Sequence, residues 1–101
     1  MKLLDAVVAD TDGDSIPCTL IRGGQVDPIH TVCCYSTDFG GGSVYIQWSP
    51  DGTNWFTMRR VDENQAIFTV SDVYNVRARG GLVRARLTGA TAPAALTVVW
   101  F

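Results

Sequence analysis

No stretch of this chain sustains the apolar spacing of a helix. Short alternating runs recur instead, each closed by turn-forming residues about a dozen positions after the last. The runs are LLDAVVA (3–9), IPCTLIR (16–22), IHTVCCY (29–35), SVYIQWS (43–49), WFTMRRV (55–61), AIFTV (66–70), VYNVRAR (73–79), LVRARLT (82–88) and AALTVVWF (94–101). Between them stand DTDGDS, GGQVDP, STDFGGG, SPDGTN, VDENQ, GG and GATAP, whose residues accept positive φ, preset φ, or hydrogen-bond their own backbone. LLDAVVA and AIFTV carry the weakest strand signals. The expected fold is all-β: one antiparallel sandwich of about eight strands, with jelly-roll or immunoglobulin-like topology.

The chain has 101 residues, 47% of them hydrophobic and 18% charged, which suits a single domain over 1–101. A chain of this size buries roughly two-thirds of its unfolded surface, so a second core has no material. Asp5 interrupts the apolar run that follows Lys2, which leaves too little for a signal peptide or a membrane span. Cys18, Cys33 and Cys34 form an odd set with two members adjacent, unlike a secreted disulfide framework. Synthesis in a reducing cytoplasm is expected.

The stretch VYIQWSPDGTNWFTMRR (44–60) reads as a hairpin. Alternation places Val44, Ile46 and Trp48 on one face, and Tyr45 and Gln47 on the other. Phe56 and Met58 then share a face, opposite Trp55, Thr57 and Val61. Pro50 presets φ at the turn and Gly52 takes the left-handed position.

Chemistry is harder to find. Asp10, Asp12 and Asp14 have the spacing of the first calcium-loop ligands, but Ser15 stands where the sharp-turn glycine belongs and Ile21 where the bidentate glutamate belongs. His30, Cys18, Cys33 and Cys34 are zinc-type ligands, yet on one strand His30 and Cys34 point one way and Cys33 the other. His30 and Cys34 also lie roughly 13 Å apart along a strand, too far for a nucleophile pair. There is no nucleophile elbow and no phosphate-cradling loop ahead of a helix. The expectation is therefore no catalysis, no cofactor and no metal.

Charge is unevenly distributed although the net value is only −2. Arg59, Arg60, Arg77, Arg79, Arg84 and Arg86 lie in the second half, while Asp5, Asp10, Asp12, Asp14, Asp27 and Asp38 lie before residue 40. Such sets either pair within the fold or form opposite patches that attract a neighbouring copy. A two-residue turn at Gly80–Gly81 would set Arg77 opposite Arg84 and Asn75 opposite Arg86, with Arg79 on the same face. Like charges so placed need water or a partner's acids over them. Arg77, Arg79, Arg84 and Arg86, with Trp100 and Phe101 of the apolar terminus, are the candidate partner-binding residues. An acidic chain is not expected to bind nucleic acid, nor a membrane.

VYIQWSPDGTNWF followed by LVRARLTGATAPAALTVVW resembles small bacteriophage virion proteins, in which a Ser-x-Asp-Gly-x-x-Trp hairpin precedes an arginine-bearing strand, a glycine turn and a last apolar strand. The resemblance spans residues 43–101, and the hairpin is also similar to those of discoidin-like jelly rolls. It implies a non-enzymatic virion component, foremost a capsid decoration or cement protein. Its partners would be the major capsid protein or another virion protein, and copies of itself, a trimer being expected. Its location would be the virion after synthesis in the host cytoplasm. The alternative is a carbohydrate- or receptor-binding module of a tail or fibre, with Tyr45, Trp48, Trp55 or Trp100 as a stacking platform.

Overall fold

The seven residues Ile29–Tyr35 show how the fold is specified. His30, Val32 and Cys34 are buried, while Ile29, Thr31, Cys33 and Tyr35 turn outward. Strand alternation on a two-layered body produces this pattern. The computed structural model describes residues 1–18, 21–22, 25–26, 29–78 and 80–101, and of residues 21–22 and 25–26 only the backbone. Arg79, Thr19, Leu20 and the Gly23, Gly24, Asp27 and Pro28 turn residues lie outside the described residues.

All regular structure among the described residues is strand: β1 (Lys2–Val7), β2 (Thr11–Asp12), β3 (Ile16–Pro17), β4 (Ile21–Arg22), β5 (Gln25–Val26), β6 (Ile29–Tyr35), β7 (Ser43–Ser49), β8 (Phe56–Thr57), β9 (Ile67–Phe68), β10 (Asp72–Arg77), β11 (Leu82–Thr88) and β12 (Leu96–Trp100). A four-stranded sheet runs β1-β12-β6-β10. In the six-stranded sheet, β11 and β7 form the centre, β2 and β3 pair with the outer side of β11, and β8 and β9 with the outer side of β7. β4 and β5 form a separate two-stranded ribbon.

β2 with β3, and β8 with β9, each act as one interrupted strand, giving eight strand positions. The first then pairs with the last, the second with the seventh, the third with the sixth and the fourth with the fifth, all antiparallel. This is the wrapping of a jelly roll, which resolves the topology between the two expected sandwiches. Val32, Cys34, Val76, Val98 and Trp100 face Val44, Ile46, Phe68, Val83, Ala85 and Leu87 in one continuous core. Each large side chain there contributes about 1.5–3 kcal/mol by leaving water.

The hairpin at 44–60 forms as expected, with Gln47 opposite Thr57 and Trp48 opposite Phe56. Residues 59–65 leave the sheet edge between β8 and β9. Arg60 bridges to Val76, and the Val61 amide donates to the Asn75 carbonyl at 2.8 Å, so this excursion joins the two sheets.

The expected Gly80–Gly81 hairpin does not form. β10 pairs with β6 in the four-stranded sheet, and β11 with β7 in the other, so the two glycines lie where the chain changes layers. Arg77 is opposite Ile29, Arg84 opposite Gln47, and Arg86 opposite Tyr45 and Asp12. Among the described residues the arginines form no single stripe, and the like-charge conflict anticipated from sequence is absent for Arg77, Arg84 and Arg86.

Candidate interaction surface

The two sheets present very different outer faces. On the six-stranded sheet the outward residues satisfy one another. Arg84 Nε donates to Gln47 Oε1 at 2.8 Å, and its guanidinium lies 4.2 Å from the centre of the Trp55 ring. Arg86 pairs with Asp12 at 3.1 Å. This is a polar, solvent-facing surface of the kind antiparallel sheets commonly expose.

The four-stranded sheet is different. Its register places Val73, Cys33, Val99 and Lys2 in one row across β10, β6, β12 and β1. The next row is Asn75, Thr31 and Phe101, since the Phe101 amide donates to the Thr31 carbonyl at 2.9 Å and Thr31 Oγ1 donates to Asn75 Oδ1 at 3.0 Å. Ile29 and Tyr35 stand at the two ends of β6. Their exposures decide the character of the face: Ile29 43%, Tyr35 47%, Val73 53% and Phe101 56%. An outer face with this many exposed apolar side chains, crossed by the Thr31–Asn75 pair and edged by Lys2 and Arg77, is the usual mark of a protein-docking surface.

Of the terminal pair anticipated as contacts, only Phe101 reaches this face. Trp100 is turned inward, 4% exposed, and stacks on His30 with centroids 4.6 Å apart. His30 is itself buried, with Nδ1 3.3 Å from the Phe101 carbonyl oxygen and Nε2 3.1 Å from that of Ala78. A neutral imidazole donates to only one of these. His30 thus sits between the ends of β12 and β10, donating to one of these carbonyls and stacked on Trp100, a structural role.

The other indoles have structural tasks as well. Trp48 packs against the core, and its Nε1 donates to the Gly80 carbonyl at 2.7 Å. One face of Trp55 is covered by Arg84. In the turn between them, Asp51 Oδ1 accepts from the amides of Thr53 and Asn54, each at 2.9 Å, and Ser49 Oγ accepts from Gly52 at 2.8 Å. Those bonds hold the Asp51 carboxyl far below the ordinary carboxylate range, the Asn54 and Thr53 amides being the main causes.

The acidic run does not converge. Asp10 accepts from the amides of Gly89 and Ala90, Asp12 pairs with Arg86, and Asp14 has no cation beside it among the described residues. No three His, Cys, Asp or Glu side chains among the described residues come together as metal ligands. Cys18 and Cys34 are core residues, while Cys33 belongs to the outer apolar row.

One cleft of about 380 Å³ opens at the edge between the sheets. Trp48, Phe56, Met58 and Val61 give it an apolar floor, and Arg59, Arg60 and Arg77 surround it. Sequence reading missed this grouping, because Arg77 meets Arg59 and Arg60 only when residues 59–65 fold across onto β10.

Comparison with protein-family models, with curated proteins and with solved structures finds no match to this chain. The surface must be read on its own chemistry.

Proposed function

We propose that this protein is a non-enzymatic structural component of a virion, a decoration or cement protein that adheres to the outside of a phage head shell through its four-stranded sheet. The observation that carries the adhesive reading is the apolar row Val73–Cys33–Val99, with Ile29, Tyr35 and Phe101 around it, on a face that solvent alone would favour as polar. Phe101 and Tyr35 are the aromatic anchors, and Lys2 and Arg77 form the charged rim. The virion assignment is supported by the resemblance of residues 43–101 to small phage virion proteins. The major capsid protein is the partner proposed. Jelly rolls serve both capsids and lectins, so the fold alone decides nothing. The carbohydrate reading loses support because Trp48 and Trp100 pack inward and Trp55 is capped by Arg84.

Co-sedimentation with head shells assembled from a phage major capsid protein tests the proposal. The wild-type chain is expected to pellet with the shells. Val73→Glu should weaken binding at least about tenfold, equivalent to ~1.4 kcal/mol, whereas Tyr45→Ala on the opposite sheet should bind as wild type. A wild-type chain that stays in the supernatant contradicts the reading.

A further inference from the structure

We infer that copies of this chain associate head to tail, the arginine-lined edge of one sandwich seated on the aspartate-lined edge of the next. The topology sets this up. β1, β2 and β3 lie along one edge of the two-layered body, and β10, β8 and the 59–65 excursion along the opposite edge. The lopsided sequence charge is thereby converted into two separated surfaces.

On the first edge, Leu4, Asp5, Val7, Asp12 and Asp14 line a shallow groove, with Val8 65% exposed just beyond it. On the second edge, Phe56 and Val61 are 58% and 47% exposed in the cleft bordered by Arg59, Arg60 and Arg77. The first edge therefore sets the exposed Val8 beside three aspartates and Lys2, and the second sets Phe56 and Val61 beside three arginines and Glu63, so the balance of charge is opposite in sign. Some of this charge is already neutralised: Lys2 pairs with Asp5, Arg86 with Asp12, and Asp62 with Arg60. Asp14 lacks a cation, and Arg59 and Arg77 lack a carboxylate, among the described residues. These unmatched charges are the ones a neighbouring copy would complement.

The association runs through side chains, because both strand edges are guarded. β1 slips register twice along β12, and Ala6 within it has φ 49°. β10 is covered over Asn75–Val76 by the excursion. Bulges and covering segments of this kind prevent open-ended strand pairing. Since the two contact surfaces differ, the interface is heterologous, and repetition gives a ring where the rotation closes. A ring of this construction repeats the apolar sheet face around its axis and so multiplies a weak single contact with a shell. Ring formation itself does not depend on that shell, so its test stands apart from the adhesion test.

Sedimentation velocity on the purified chain, with circular dichroism to confirm folding, provides the test. Wild type is expected to sediment as a multimer at low ionic strength and to dissociate in about 1 M salt, where the Debye length is near 3 Å. The double substitutions Arg59→Glu with Arg77→Glu, and Asp5→Lys with Asp14→Lys, should each yield monomer. Mixed in equal amounts, the two variants should regain the multimer as an alternating assembly, because a native pair of edges meets at one junction and a charge-reversed pair at the next. A chain carrying all four substitutions should regain the multimer. A wild-type monomer at low salt, single-edge variants that keep the wild-type mass, or a mixture that fails to pair would each overturn the inference.

Discussion

Gly81 lies against the indole of Trp48. A Cβ at that position would stand 2.5 Å from Trp48 Nε1 and 2.7 Å from the Ser49 carbonyl oxygen, and its φ is +76°. The same indole donates to the Gly80 carbonyl, so Trp48 holds the corner at which the chain passes from one sheet to the other. The tryptophan of the hairpin and the glycine pair of the arginine stretch, separate in sequence, form a single device.

Gly81→Ala should therefore cost about 2–4 kcal/mol, combining left-handed strain with overpacking against ring and backbone. Thermal melts should show a drop on the order of 10 °C or more. Gly80→Ala, where an added Cβ meets nothing within 4 Å, should melt close to wild type.

The thiols should divide into two classes. Burial pushes Cys18 up to about 11, and burial with the adjacent Cys33 pushes Cys34 up to about 12. Thiolate is the reactive form, so a disulfide reagent near pH 8 should modify Cys33 in the native protein and reach Cys18 and Cys34 only on unfolding. Because Cys33 lies in the outer apolar row, a bulky label on it should also abolish adhesion to shells.

Asp51 should mark acid sensitivity. Its folded pKa is depressed, so its contribution to stability is complete above the unfolded value of about 3.9 and is lost as pH falls through the folded value. The difference in melting temperature between wild type and Asp51→Ala should stay constant from neutral pH down to about 4 and shrink only below that. Carbon NMR of the side-chain carboxyl should show Asp51 still ionised near pH 3.

Much of this architecture is legible in the sequence, though unevenly. SVYIQWS, IHTVCCY and LVRARLT match β7, β6 and β11 end to end, because alternation between clear turn residues fixes both face and length. WFTMRRV and AIFTV were harder: they reduce to two-residue strands flanking an excursion whose path is set by contact with β10. The Gly80–Gly81 step looked like a hairpin because local chemistry is the same for a hairpin turn and a layer change. Only the pairing of β10 with β6 separates them. From sequence Trp100 reads as a candidate contact residue, since composition cannot show that His30, distant in sequence, stacks on it. The outer apolar row was invisible for a related reason. Val73, Cys33 and Val99 come from three strands, and the row exists only in their register.

Glycans should leave tryptophan fluorescence unchanged. Trp100 is buried, Trp48 is bonded at the sheet corner, and Trp55 carries the Arg84 guanidinium. A shift of emission on adding any sugar of a broad panel would move the functional reading to a lectin-like module.

Hydroxyl-radical footprinting of the protein on assembled shells tests the central claim, adhesion through the four-stranded sheet, most directly. Tyr35 and Phe101 should lose most of their labelling on the shell, while Tyr45 and Trp55 on the other sheet keep theirs. Protection of Tyr45 and Trp55 with Tyr35 and Phe101 still labelled would contradict the account.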